Sequence, residues 1–193
     1  MLFRSPVTCH LENYRMKKWW LLSIVMLASC VKDRIDLPQY TPTYTSPLRI
    51  NEFLASSTGT PWLNEFGVAS DWFEIYNASD STVHFTPGKY FCTDDQTRKG
   101  KYALPDFSIP AKSFFTIWCD SDDTLVDDIH TNFNLKSSGE FIGLYEAKGS
   151  DTIVVDEKTF GAQVVGVSQG RFPDGENSWF TMSNPTPGLP NQK

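Results

Sequence analysis

From Pro47 onward the chain breaks into short runs of aromatic and β-branched residues separated by Gly, Pro, Asn and Asp. "LRINEFLAS", "DWFEIYN", "TVHFT", "KYFCT", "SFFTIWC", "GEFIGLYEA", "DTIVVDEKTF" and "VVGVS" follow one another in this order. Each run has strand length, and none of the segments between them carries a capped period of ~3.6 residues. A strand buries one face at a time, so such runs must stack into layers to hide their apolar sides. Twelve Gly and twelve Pro supply the turns. The pattern predicts an all-β chain, folded as an antiparallel sandwich or barrel.

The region before Pro47 reads differently. Met16-Lys17-Lys18 is basic, and Trp19 to Leu27 is uncharged. That stretch is shorter than the about 20 apolar residues that cross a bilayer as a helix. It has the size of a signal-peptide apolar region. It closes on Leu27-Ala28-Ser29-Cys30, which resembles the lipobox of bacterial lipoproteins. The resemblance implies that the Cys30 thiol is acylated, that residues 16–29 are removed, and that the membrane is a partner reached through the lipid. Residues 1–15, "MLFRSPVTCHLENYR", are polar and mixed, an odd preface to a signal peptide. Translation is therefore expected to start at Met16. Residues 30–46 carry Pro and Thr without strand or helix period and read as a lipidated, flexible tether. Extended, it would reach about 50 Å at ~3.3 Å per residue. Val31 follows Cys30, where an Asp often keeps lipoproteins at the inner membrane. Lys32-Asp33 resembles the export signals of surface lipoproteins. The expected location is the outer membrane, surface-exposed.

Processed at Cys30, the chain would carry thirteen Lys and Arg against twenty-two Asp and Glu, a formal charge of −9. Such a surface argues against nucleic acid as partner, because phosphate contacts need clustered cations. The cluster Arg98-Lys99-Gly100-Lys101 adjoins Asp94-Asp95 and reads as a solvated loop. Two cysteines remain in the domain, Cys92 and Cys119, both in strand-like runs. An oxidising compartment permits a disulfide between them, provided their Cα atoms come within ~7 Å. The other reading is two free, buried thiols acting as small apolar residues.

The order of motifs carries a second resemblance. "INEFLAS" is followed by "DWFEIYNASDSTV", "IPAKSFFTIWCDSD", "HTNFNLKSSGEFIGLYE", "TFGAQVVGVSQGRFPDGENSW" and "NPTPGLPNQ". Together these resemble the bacterial members of the lamin tail domain family, over residues 47–191. The resemblance implies an immunoglobulin-like antiparallel β-sandwich. It also implies an extracellular accessory domain that binds or adheres, on a lipoprotein or beside a secreted hydrolase. Fold does not fix function in such sandwiches.

Glu74 lies between aromatics in "DWFEIYN". Alternation puts Phe73 and Ile75 on one face and Trp72, Glu74 and Tyr76 on the other. A carboxylate there is costly unless paired. The first expectation is a structural carboxylate held by backbone N–H groups or by Arg171 of "GRFPDG". The second is a metal site of Glu52, Asp71, Glu74 and Asn77, hard oxygen donors of the kind that calcium takes. The acidic run with Asp120, Asp122, Asp123, Asp127 and Asp128 lacks the Gly and terminal Glu of an EF-hand loop and reads as a solvated loop, with a weak cation site as the alternative. The third is a Glu52–Glu74 acid/base pair of a glycoside hydrolase. His84 and His130 have no nucleophile motif beside them, and no G-x-S-x-G or H-E-x-x-H is present. The expectation is a non-catalytic binding or adhesion module needing no cofactor. Its partner would be an envelope protein or an extracellular glycan. The alternative is a hydrolase, or hydrolase accessory subunit, acting on extracellular glycan or nucleic acid. Trp62, Asn64 and Glu65 sit in the loop "TGTPWLNEFG" and are candidate ligand-binding residues. Against this, Trp62 could instead fold back to cap the core.

Overall fold

The apolar runs become strands that alternate between a dry and a wet face. A computed structural model describes residues 46–123 and 128–193. Cys30, the segments 1–15 and 16–29, nearly all of the 30–46 tether and Asp127 lie outside the described residues. Within them the strands are β1 (Leu48–Leu54), β2 (Asp71–Asn77), β3 (Val83–Phe85), β4 (Tyr90–Thr93), β5 (Tyr102–Ala103) and β6 (Phe107–Ile109). They continue as β7 (Phe114–Cys119), β8 (Glu140–Lys148), β9 (Asp151–Phe160), β10 (Ser168–Arg171) and β11 (Trp179–Met182). One sheet runs β11-β10-β1-β2-β7, a second runs β5-β4-β8-β9, and β3 pairs with β6. All these pairings are antiparallel. The architecture is all-β, with no helix among the described residues, and is consistent with a β-sandwich.

The inner rows show why. Phe53, Phe73 and Ile117 line up across β1, β2 and β7, and so do Ile50, Ile75 and Phe115. They share one cluster with Cys92, Ile142, Leu144 and Val155 of the second sheet. Burying each large side chain is worth roughly 1.5–3 kcal/mol.

A bulge in β1 shapes both faces. Ile50 pairs with Ile75 and Glu52 with Glu74, so Asn51 is the extra residue. A bulge leaves peptide groups without ladder partners. Here a buried ion pair takes them. Ile50 N donates to Asp156 Oδ2 at 2.9 Å, and Arg171 Nε donates to Ile50 O at 2.8 Å. Arg171 Nη2 donates to both Asp156 oxygens, at 3.1 and 2.9 Å. The pair thereby joins β10 of one sheet to β9 of the other.

One expectation is corrected. The run "VVGVS" does not form a strand. Val164 and Val165 are exposed in a turn closed by Val167 N on Val164 O at 3.1 Å, and β10 begins only at Ser168. Gly166, at a φ of 72°, bends the chain there. Of the two readings for Cys92 and Cys119, the structure has the second, two free and buried thiols. They belong to β4 and β7, in different sheets. Burial pushes both thiols well above their ordinary range, so they pack as small apolar residues.

Candidate functional site

Two places on the five-stranded sheet gather polar chemistry: its outer face, and the end where β1 turns into β2. On the outer face, Glu52 and Glu74 are direct cross-strand neighbours and fully buried. The C-terminal residues 184–191 lie over them as a strap. Gly188 N donates to Glu74 Oε2 at 2.6 Å, and Asn51 Nδ2 donates to its Oε1 at 3.2 Å. Thr186 N and Oγ1 donate to Glu52 Oε2 at 3.1 and 2.9 Å, and Ser168 Oγ donates to Oε1. Asn191 Nδ2 donates to Arg171 O at 2.8 Å. A Cβ at Gly170 would meet that Asn191 amide at 2.6 Å, so the strap's close approach requires glycine there.

Burial pushes Glu74 well above the usual carboxylate range, against the pull of the Gly188 and Asn51 hydrogen bonds. The charges of Glu52 and Asp174 push the same way. Glu52 is raised too, mainly by burial. Glu74 is thus a buried structural carboxylate, but the expected Arg171 partner is wrong. Arg171 is committed to Asp156 on the inner side of the bulge, and Glu74 faces outward to the strap.

The metal set is also not assembled. Asp71 and Asn77 stand at opposite ends of β2, about 20 Å apart at ~3.4 Å per residue. Asp71 accepts from Ser57 N at 3.0 Å, and Asn77 Nδ2 donates to Ser81 O at 2.8 Å and Ile109 O at 3.0 Å. Among the described residues, no group of three or more His, Cys, Asp or Glu is placed to hold a metal ion. As for an acid/base pair, the oxygens of Glu52 and Glu74 are engaged beneath the strap rather than turned to a cleft.

The second place is the loop between β1 and β2. Asn64 builds its turn: N donates to Val68 O, O accepts from Gly67 N, and Oδ1 accepts from Val68 N, each at 2.9 Å. Gly67, at a φ of 74°, supplies the left-handed residue that turn needs. Asn64 is buried, and Trp62 packs on Leu54, Trp72 and Trp118, which form one row across β1, β2 and β7. Trp62 therefore caps a small outer cluster rather than standing free. The neighbours it leaves at the surface are Leu63, Phe66 and Val68, 49%, 54% and 53% exposed.

Glu65 turns inward to His130, whose Nε2 lies 2.9 Å from Oε1. His130 Nδ1 lies 2.7 Å from Asp120 Oδ2, and Phe66 packs on the ring with centroids 5.6 Å apart. Asp128 accepts from Trp118 Nε1 at 3.1 Å. Burial lowers the affinity of His130 for its proton, but the hydrogen bonds and charges of Asp120 and Glu65 outweigh this and leave it raised. For Glu65 burial works upward, and backbone N–H groups and His130 more than offset it. Sequence reasoning passed over His130 because its partners lie 65 and 10 residues away. The only signal in the chain was a histidine in an otherwise acidic neighbourhood. His84, by contrast, is exposed on β3 as expected and meets Ser108 Oγ at 2.8 Å.

No family model matches the chain, and no curated protein matches it.

Proposed function

We propose that the chain is a cell-envelope lipoprotein. In this reading its immunoglobulin-like, lamin-tail-type sandwich is a non-catalytic binding module, carried on a lipid at Cys30 and displayed at the outer surface. The observation that carries the binding role is the β1–β2 loop. It keeps three apolar side chains in water on a turn that is internally hydrogen-bonded. Exposed apolar groups on a fixed loop are what a partner surface needs. The chain enters the described domain at residue 46, before β1, and this loop follows β1, so the two lie at opposite ends of that strand. Tethered at one end, the domain would present the loop at the other.

The chemistry favours an envelope protein over a glycan. The large ring available for sugar stacking, Trp62, is engaged with Leu54, Trp72 and Trp118. The exposed groups are Leu63, Phe66 and Val68, with Glu65 in the same turn. A matching partner would combine apolar contact with a basic rim. The anchor is tested by fractionating cells that produce the full chain or its Cys30→Ala variant. The wild type is expected in the membrane fraction and the variant in the soluble one. A variant that remains membrane-bound would refute the anchor.

A further inference from the structure

His130 is enclosed, yet both ring nitrogens face carboxylates, Asp120 at Nδ1 and Glu65 at Nε2. A carboxylate only accepts. With both carboxylates ionised, both contacts are hydrogen bonds only while the ring carries two protons. A neutral ring turns a lone pair toward one of them, and the contact becomes repulsive. The two are not equally fixed. Asp120 directly follows β7, bridges to Asn134 and also accepts from Asn64 Nδ2 at 3.3 Å. Glu65 belongs to the loop and is otherwise held by backbone N–H groups, its own and that of Asp128.

We propose that His130 is a pH-operated latch on residues 61–69: protonated, it ties the loop to the end of β7, and deprotonated, it lets Glu65 go. Release would loosen Glu65 and Phe66 from the end of β7, while the turn itself keeps the internal hydrogen bonds of Asn64. This rests on the reading of the loop as the docking end and adds its regulation. The charged groups facing the ring are Asp120 beside β7 and Glu65 from the loop. Asp128 is turned to Trp118, and Asp71 of β2 lines the cleft beside Asp120. The carboxylates hold the ring's proton above the ordinary histidine value of 6.5, so the latch is closed in mild acid and opens on the alkaline side.

The test is NMR on the full chain from about pH 5.5 to 9, a range that brackets ordinary histidine titration. It follows the His130 ring shifts, ¹⁵N order in residues 61–69, and the Phe66–His130 ring contacts. All three should change with one midpoint above 6.5. Glu65→Gln places an amide that can donate to the neutral ring. It should lower the midpoint by about one unit or more and keep the loop ordered throughout. Loop order unchanged while His130 titrates would overturn the latch, as would a Glu65→Gln loop as pH-sensitive as the wild type. Neither readout involves a partner, so the docking role can fail without disturbing this result.

Discussion

At the residue scale the question is why two carboxylates are buried side by side on the outer face of a sheet. Glu52 and Glu74 accept from N–H and hydroxyl donors of the strap. Glu74→Ala removes two acceptors and leaves Gly188 N and the Asn51 amide without that partner. We expect a loss of about 2–4 kcal/mol from the unmet donors and the cavity, read by urea unfolding of the full chain. Glu74→Gln keeps the shape and one acceptor, and near neutrality should cost under about 1 kcal/mol. Burial favours the protonated form of Glu74. The group therefore contributes its full stability below the unfolded carboxyl value of 4.5 and gives it up as pH rises through its higher folded value. The wild type should lose stability across that window, and Glu74→Gln should lose less of it. An equal loss in both would remove Glu74 as the source. That Glu74 needed a partner was legible in "DWFEIYN", because alternation placed it among aromatics. Which partner was not legible, since Gly188 is 114 residues away. Arg171, the natural candidate by charge, was already needed at the β1 bulge.

At the element scale the strap, the bulge and the loop depend on one another. The extra residue in β1 puts both Asn51 and Glu52 against the C-terminal segments, where Asn51 Oδ1 accepts from Gly175 N at 2.9 Å. Strand periodicity located β1, β2, β3, β4, β7, β8 and β9. It could not locate β5, two residues long, and it put the strand before β10 too early, because Val164 and Val165 look like strand residues while Gly166 turns the chain. The strap carries no period of any kind. It is held by side chains of other elements and so is invisible to pattern reading. Deleting residues 184–193 should remove six hydrogen bonds to the rest of the domain, at ~1 kcal/mol each, lowering the melting temperature by roughly 15 °C. Differential scanning calorimetry on the truncated chain checks this. A melting temperature within a degree or two of the wild type would mean that the strap is an ornament and that water satisfies Glu52 and Glu74 equally well.

At the scale of the molecule the parts divide. The inner rows, the Arg171–Asp156 clamp and the strap hold the sheets. The β1–β2 loop holds apolar groups in water, at the end of β1 remote from where the chain enters. The two could be confused, because a loop aromatic can serve either the core or a partner, and "TGTPWLNEFG" offers both. The structure divides them residue by residue, Trp62 inward and Leu63, Phe66 and Val68 outward. If the outward groups exist for a partner, folding should not need them. The most direct measurement is the melting temperature of the full chain carrying Leu63→Ser and Phe66→Ser together, beside Trp62→Ser as the inward control. The double variant should stay within about 2 °C of the wild type, as surface changes do, while the Trp62 variant falls by several degrees. A double variant that falls as far as the Trp62 variant would make the loop part of the core and contradict the docking role.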